Sequence, residues 1–317
     1  MQQELKLEPQ NLVRDAKQGR KRPQAHWHIW RRHVGFPYLF LAPFLILFFL
    51  FFLLPLGYAL WISLFSDRLI GGTVFVGAQN YVQAFHDSQF WDGVVRMLLF
   101  MVIQVPVMLI CALIFALLLD SDLPVVRTVF RLGYFLPYAI PEVVSALIWG
   151  YLYGPSFGLF TQIFNDLHMA PIAFLSNSNM LGSIINVVTW QYTGYNMIIM
   201  YTALKAIPAD LYDAARVDGS SGFNVARFVK IPLIAPAIVL TAIFSIIGSL
   251  QLFGIPQIMS TLAPDVINSH YTPNYYAYTL AFTNQQYNYS AAVSFTLGVI
   301  VFICSYIFMY TSNRGQR

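Results

Sequence analysis

Long apolar runs alternate with shorter polar stretches along almost the whole chain. The runs are Leu39–Leu64, about Val94–Leu119, about Leu132–Tyr153, about Met180–Leu204, about Ala235–Met259 and about Ser290–Thr311. A helix needs about 20 apolar residues to cross about 30 Å of hydrocarbon. The pattern therefore predicts an all-α polytopic membrane protein with six transmembrane helices. The first run is too long for the apolar part of a signal peptide and lacks an obvious small-residue cleavage site. It reads as a retained span, with Pro43 and Pro55 as candidate kinks. Gly71-Gly72 marks a turn in the loop that follows. Arg96, near the outer end of the second span, is placed to snorkel.

Basic residues give the pattern a direction. Eight lie before Pro37, two in Asp120–Arg131, four in the polar stretch after the fourth run and two at the C-terminus, while Arg68 and Arg96 alone fall on the other side. Lys and Arg accumulate on the cytoplasmic face, so both termini are expected in the cytoplasm. The chain then divides into a basic N-terminal tail (1–37), a six-span transmembrane domain (38–312) and a short cytoplasmic end (313–317). With 57% hydrophobic and 10% charged residues, the composition is far from the roughly 25% charged of a soluble domain. The net charge of +4 sits mostly in the tail, which suits anionic lipid rather than nucleic acid. Cys111 and Cys304 both lie in apolar runs and read as free thiols.

One long charged stretch, Leu204–Pro236, interrupts the apolar second half of the chain. Pro208 suits a first helical position, and Asp210 and Asp213 suit the positive end of a helix dipole. Leu211, Ala214 and Ala215 share a small apolar face. Gly219 suits a left-handed C-cap. Ser220 or Ser221 can cap a second short helix, expected to stop before Pro232. Taken alone, the stretch also fits an amphipathic loop lying on the membrane. Its whole pattern, however, resembles the cytoplasmic EAA coupling loop of ABC-importer permeases. Asp213-Ala214-Ala215 stands where that family has Glu-Ala-Ala, Asp218-Gly219 follows, and Val229-Lys230-Ile231-Pro232 matches its closing Ile-x-Leu-Pro. The upstream Lys205-Ala206-Ile207-Pro208 makes the resemblance closest to the carbohydrate-uptake, maltose-type, binding-protein-dependent permeases. It extends weakly from Pro37 to about Tyr310. Two departures are Asp213 in place of Glu and Met259–Pro264 in place of a Leu-Thr-x-Gly-Gly-Pro-like turn.

The resemblance implies that residues 205–234 couple the chain to an ATPase, with Asp213, Ala214, Ala215, Asp218, Gly219 and Pro232 as the coupling residues. It also implies substrate contacts on the spans flanking the loop. Aligned there, Gln191, Tyr192, Tyr195, Ser245, Ser249 and Leu252 are candidates, with Asn196 and Gln251 beside them. Aromatic faces, hydroxyls and amides suit a neutral polyhydroxyl ligand, although the same side chains commonly join membrane helices. Glu142, the one acid deep in an apolar run, is a candidate on cost alone and is not shared with the family. No metal-ligand cluster is apparent, and all six histidines lie outside the predicted spans. No GxxxxGK[ST] occurs, so the chain has no phosphate cradle of its own. It reads as a non-enzyme that carries no cofactor.

The implied assembly is a sugar importer of a prokaryotic inner membrane, di- or oligosaccharides being the expected cargo. Its other parts would be a second permease subunit, two ATPase subunits holding ATP and Mg, and an extracytoplasmic solute-binding protein. Two alternatives stay open. One is a permease for a non-sugar solute such as a polyol phosphate, which would call for Arg or Lys at the site. The other is a stand-alone secondary transporter, which would call for a titratable relay in the spans. The tyrosine-rich segment Asn268–Tyr289 is expected either to meet the external binding protein or to lie in the aromatic belt.

Overall fold

The computed structural model describes residues 35–68, 70–120, 124–217 and 219–314. Most of the basic tail and the last three residues lie outside this set. The chain divides into two units at Gly57. In the first, α1 (Gly35–Phe48) passes through a π turn (Phe49–Leu53) into α2 (Leu54–Ile62), whose residues from Tyr58 on belong to the second. Pro55 has no N–H to give, and the widened turn just before it, closed by Leu54 N–H on the Phe49 carbonyl, absorbs the mismatch. The 23-residue stretch Phe40–Ile62 is long and apolar enough to cross a membrane.

In the second unit a hairpin, β1 (Phe65–Arg68) and β2 (Gly72–Phe75), departs from the all-α expectation. Gly71 and Gly72 form its turn at φ +108° and +71°. There follow α3 (Gln79–His86), α4 (Ser88–Leu119), α5 (Pro124–Ala139), α6 (Glu142–Leu152), α7 (Leu159–Asp166), α8 (Met180–Lys205) and α9 (Ala209–Val217). Next, α10 (Gly222–Val225) continues through a π turn (Ala226–Lys230) into α11 (Ile231–Leu250). The chain ends in α12 (Gly254–Leu262), α13 (Pro273–Tyr278) with its own π turn (Thr279–Thr283), and α14 (Tyr287–Arg314).

The expected spans need three corrections. The third is two helices, α5 and α6, meeting at 99°, because Pro141 cannot continue α5 and opens α6 instead. The fifth breaks at Gln251–Phe253, between α11 and α12. The short helix after Ser221 does not stop before Pro232. The π turn pairs Ile231 N–H with the Ala226 carbonyl, and this widened turn accommodates the missing N–H of Pro232, which follows it at the start of α11. Among the described residues, four helices are long and apolar enough to cross a membrane, or five if the bent pair counts as one span. The 26-residue α8 is not among them, being rich in polar side chains.

Helix α4 is the axis of the second unit, packing along α8 and α11 with Met97, Phe100, Met108, Ala112 and Ala116 buried. Lipid tails are as apolar as these side chains, so close fit rather than escape from water drives the association. Gly194 shows how close: a Cβ there would collide with the Tyr134 carbonyl oxygen. A Cβ on Gly93 would lie 3.0 Å from the His270 carbonyl oxygen.

In the tyrosine-rich segment Tyr271, Tyr276 and Tyr289 are buried, while Tyr278 and Tyr287 are exposed. Arg96 donates to the Tyr271 carbonyl at 2.9 Å, its guanidinium 4.5 Å from the Tyr271 ring centre. Tyr276 and Tyr289 both donate to Asp87 Oδ2 at 2.7 Å, while Asp87 Oδ1 caps α4 by accepting from Gln89 and Phe90. Burial pushes the Asp87 carboxyl up, but the bonds from Tyr289, Tyr276, Gln89 and Phe90 outweigh it and hold the group below its ordinary 3.8. A carboxyl lowered in this way contributes stability above its ordinary pKa and loses that contribution as pH falls through the folded value. The melting temperature of the purified wild-type chain should therefore fall more steeply between about pH 5 and about pH 3 than that of Asp87→Asn. Parallel curves would mean that the bonds to Asp87 contribute nothing to folding.

Candidate functional site

A cavity of about 420 Å³ opens among α4, the α5–α6 break, α8, α11 and the α11–α12 break. Two broken spans and two continuous helices meet there. In a membrane, irregular backbone persists only where protein or a cavity covers it. Of the residues expected to meet substrate, Tyr192, Tyr195 and Asn196 line the cavity from α8, Ser245 and Ser249 from α11, and Gln251 from the second break. Gln191 does not line it. Its amide is buried and donates to the Ile140 carbonyl at 3.1 Å, on the α8 face that also buries Ile184, Val187 and Gly194.

Among the further lining residues that escaped the reading of the sequence are Phe100, Gln104 and Met108 of α4, and Tyr138 of α5. Gln104, a lone amide in the middle of an apolar run, is the signal that could have found this face. Tyr138 stacks on Tyr195 with ring centres 4.7 Å apart and meets Tyr192 edge-on at 5.8 Å. Phe253 lines the same space and lies 5.1 Å from the ring of Tyr278. Ser249 donates to Gln104 Oε1 at 2.9 Å, and Ser245 approaches Asn196 Oδ1 at 3.5 Å. These polar residues thus join helices to one another and also face the cavity.

Glu142 opens α6 and reaches across to the N-terminus of α12, where its Oε1 accepts the Ile255 N–H at 3.0 Å. The fit depends on Gly254, since a Cβ there would lie 2.8 Å from the same oxygen. A carboxylate at a helix N-terminus satisfies free N–H groups and meets the positive end of the dipole. The backbone freed by the second break thus answers a cost incurred at the first. Glu142 also lines the cavity, and among the described residues no Lys, Arg or His does.

The loop between α8 and α11 forms a second site. Leu211 and Ala214 on α9 are exposed and Ala215 is half-buried, so the small apolar face is left open. Asp213 is exposed beside it. Gly219 adopts φ +71°, and Ser220 N–H bonds the Ala215 carbonyl at 3.0 Å, a left-handed helix ending. Asp218 lies outside the described residues. Pro232 sits in the first turn of α11. The anchor of this loop was not anticipated. Asp120, at the end of α4, binds Lys205 Nζ through Oδ1 and Lys230 Nζ through Oδ2, each at 2.7 Å. Burial pushes the Asp120 carboxyl up, but the bonds and charges of Lys205 and Lys230 outweigh it and hold it below 3.8.

A family model for the binding-protein-dependent transport system inner membrane component matches residues 72–314. The lactose transport system permease protein LacF of Rhizobium radiobacter is 32% identical over 288 residues, covering 88% of this chain and 94% of its own. The trehalose/maltose transport system permease protein MalF of Thermococcus litoralis is 28% identical over 235 residues, covering 74% and 79%. Among solved structures, a chain of a bacterial ABC transporter that imports the acidic polysaccharide alginate shares the fold. Its TM-score is 0.79 at 19% identity, with 92% of this chain and 99% of that one covered.

The Gln104–Ser249 pair generates a test by double-mutant cycle. Ser249→Ala leaves a buried amide oxygen without its donor and should cost about 1–3 kcal/mol of unfolding free energy in detergent. Adding Gln104→Leu should cost less than the sum of the two single changes. Strict additivity would mean that the bond does not join α4 to α11.

Proposed function

The chain belongs to the family of binding-protein-dependent transport system inner membrane components, and from that premise we propose that it is a permease subunit of an ATP-driven sugar importer. The cavity carries this reading. It offers stacked aromatic faces, hydroxyls and amides, the complement of a sugar ring, whose faces are apolar and whose edges are hydroxylated. The names of the relatives, lactose and trehalose/maltose permeases, support the same substrate class. A di- or oligosaccharide bound by Tyr192, Tyr195, Asn196, Ser245, Ser249 and Gln251 is the specific form of the proposal. Gln191 then holds α8 against the α5–α6 break. A polyol phosphate is disfavoured because no cation lines the cavity among the described residues. A stand-alone secondary transporter is disfavoured because Glu142 is the only acid among the described residues there.

In this reading six segments cross the membrane: α1–α2, α4, the bent α5–α6, α8, α10–α11 and α14. Both termini and the α8–α11 loop face the cytoplasm. A second permease subunit, two ATPase subunits that bind ATP and Mg, and an extracytoplasmic solute-binding protein complete the importer. The open face of α9, with Asp213, Ala214 and Ala215, seats in a groove of one ATPase. Gly219 ends that helix, and Asp218 and Pro232 shape its return to α11. ATP binds the closed ATPase pair more tightly than the open one. That difference is what biases the permease between inward- and outward-facing forms.

Two experiments test this reading. With the assembled complex in proteoliposomes, Tyr195→Ala should lower uptake severalfold across a panel of neutral saccharides, one ligand hydrogen bond being worth on the order of 1 kcal/mol. Ala215→Trp and Gly219→Val should abolish uptake while sugar binding by the external protein is unchanged. The first overfills the docking face, and the second puts a β-branched residue at positive φ. Full uptake in both loop variants would exclude the loop as the coupling element. Orientation is tested separately, on a background with Cys111 and Cys304 replaced by Ser. Cysteines at the exposed positions Asn177 and Gln286 should react with an impermeant thiol reagent in intact cells, and one at Ser221 should not. The reverse pattern would invert the topology.

A further inference from the structure

Asp120 sits where a carboxylate is least welcome, at the negative C-terminal end of its own helix α4. Its side chain is 4% exposed. What holds it is a pair of lysines, one on each oxygen, and those lysines bracket the loop. Lys205 is the last residue of α8 and Lys230 the last before α11. One carboxylate therefore fixes both stems of the loop to the end of α4. Removing its charge would leave two ammonium groups converging on a site with no counter-charge, and like charges at close range repel.

The connections continue on both sides. Lys230 Nζ lies 5.1 Å from the ring centre of Tyr212, and Tyr212 donates to the Leu204 carbonyl at 3.3 Å. Tyr212 directly precedes Asp213-Ala214-Ala215, so α9 is tied back to the same pair of stems. In the other direction α4 carries Phe100, Gln104 and Met108 to the cavity wall, and Gln104 is bonded to Ser249 of α11. A displacement of α9 has a continuous set of packed and bonded groups through which to reach the cavity.

We propose that Asp120 is the positioning residue that makes α4, α8, α11 and the loop between them move as one body, so that motion imposed on α9 is delivered to the cavity. The proposal rests on the importer reading, in which an ATPase pushes on α9. Without the clamp the loop still docks and ATP is still hydrolysed, but the stems yield and the cavity does not respond.

The test reads the cavity directly and needs no knowledge of the sugar. In the Cys-free background, a single cysteine at Ser245 reports cavity access through its rate of reaction with a small methanethiosulfonate. The rate is measured on the complete complex without nucleotide and with ATP plus vanadate. In the parent the two rates should differ about tenfold or more, the scale of a coupled conformational change. Asp120→Asn should bring the ratio close to one while assembly and basal ATP hydrolysis persist, and Asp120→Glu should recover most of the difference. Should Asp120→Asn fail to assemble, Lys205→Gln and Lys230→Gln, which each leave one bridge, should each reduce the ratio. A parent-like ratio in Asp120→Asn, or in both lysine variants, overturns the clamp. So does equal impairment of Asp120→Asn and Asp120→Glu, which would make the residue a packing element. A parent complex whose labelling ignores nucleotide overturns the importer reading, and the clamp with it.

Discussion

Helix α4 is held at both ends by a carboxylate, and the rest of the second unit is arranged around a rod fixed in this way. The two ends differ in kind. Asp87 caps the N-terminus, where the dipole favours it, and its other partners are the neutral hydroxyls of Tyr276 and Tyr289. Asp120 stands against the dipole and is held by charge. Hydrogen bonds from packed tyrosines fix position closely. Ion pairs to lysines have broader geometry and tolerate adjustment. The first arrangement suits an anchor and the second suits a joint, the division of labour that the proposed coupling would ask of this helix.

The helical character was legible because it rests on apolar run length, and runs of 22 to 26 residues leave little choice of structure. The loop helices were legible because Gly219 and Ser221 carry local instructions that need no tertiary context. What could not be read was where runs break. The 99° bend at α5–α6 follows Pro141, but the gap between α11 and α12 is answered by Glu142 accepting from Ile255 across 113 positions of sequence, and no local pattern reports that. The cavity was half legible. Tyr192, Tyr195 and Asn196 share one face of α8 at helical spacing, while Gln191 falls on the face that packs against α5. The α4 contribution was missed because Gln104 is isolated, and a single amide in an apolar run carries no periodicity. Asp120 was missed for a related reason: its partners lie 85 and 110 residues away.

Glu142 illustrates how two interruptions can be cheaper than one. A break in a membrane helix exposes backbone groups that lipid cannot satisfy, and a carboxylate in the same medium is costly in its own right. Placed together, each supplies what the other lacks. The residual polarity faces a cavity instead of lipid, so a structural solution also leaves acceptor capacity where a hydroxylated ligand could use it.

The π turn at Ala226–Lys230 has a consequence for the angular phase of the helix that contains it. A turn closed from residue i to i+5 holds one residue more than an α turn. Everything after it is rotated by about 100° relative to an uninterrupted α-helix. Val225 is buried on one side of this insertion, while Lys230 faces Asp120 and Ser245 faces the cavity on the other. The chain thus uses a single extra residue as a rotational spacer. Deleting one residue from this turn would shorten the helix by only about 1.5 Å, yet it would swing the loop out of register with the wall it serves. Length matters little here; azimuth matters a great deal.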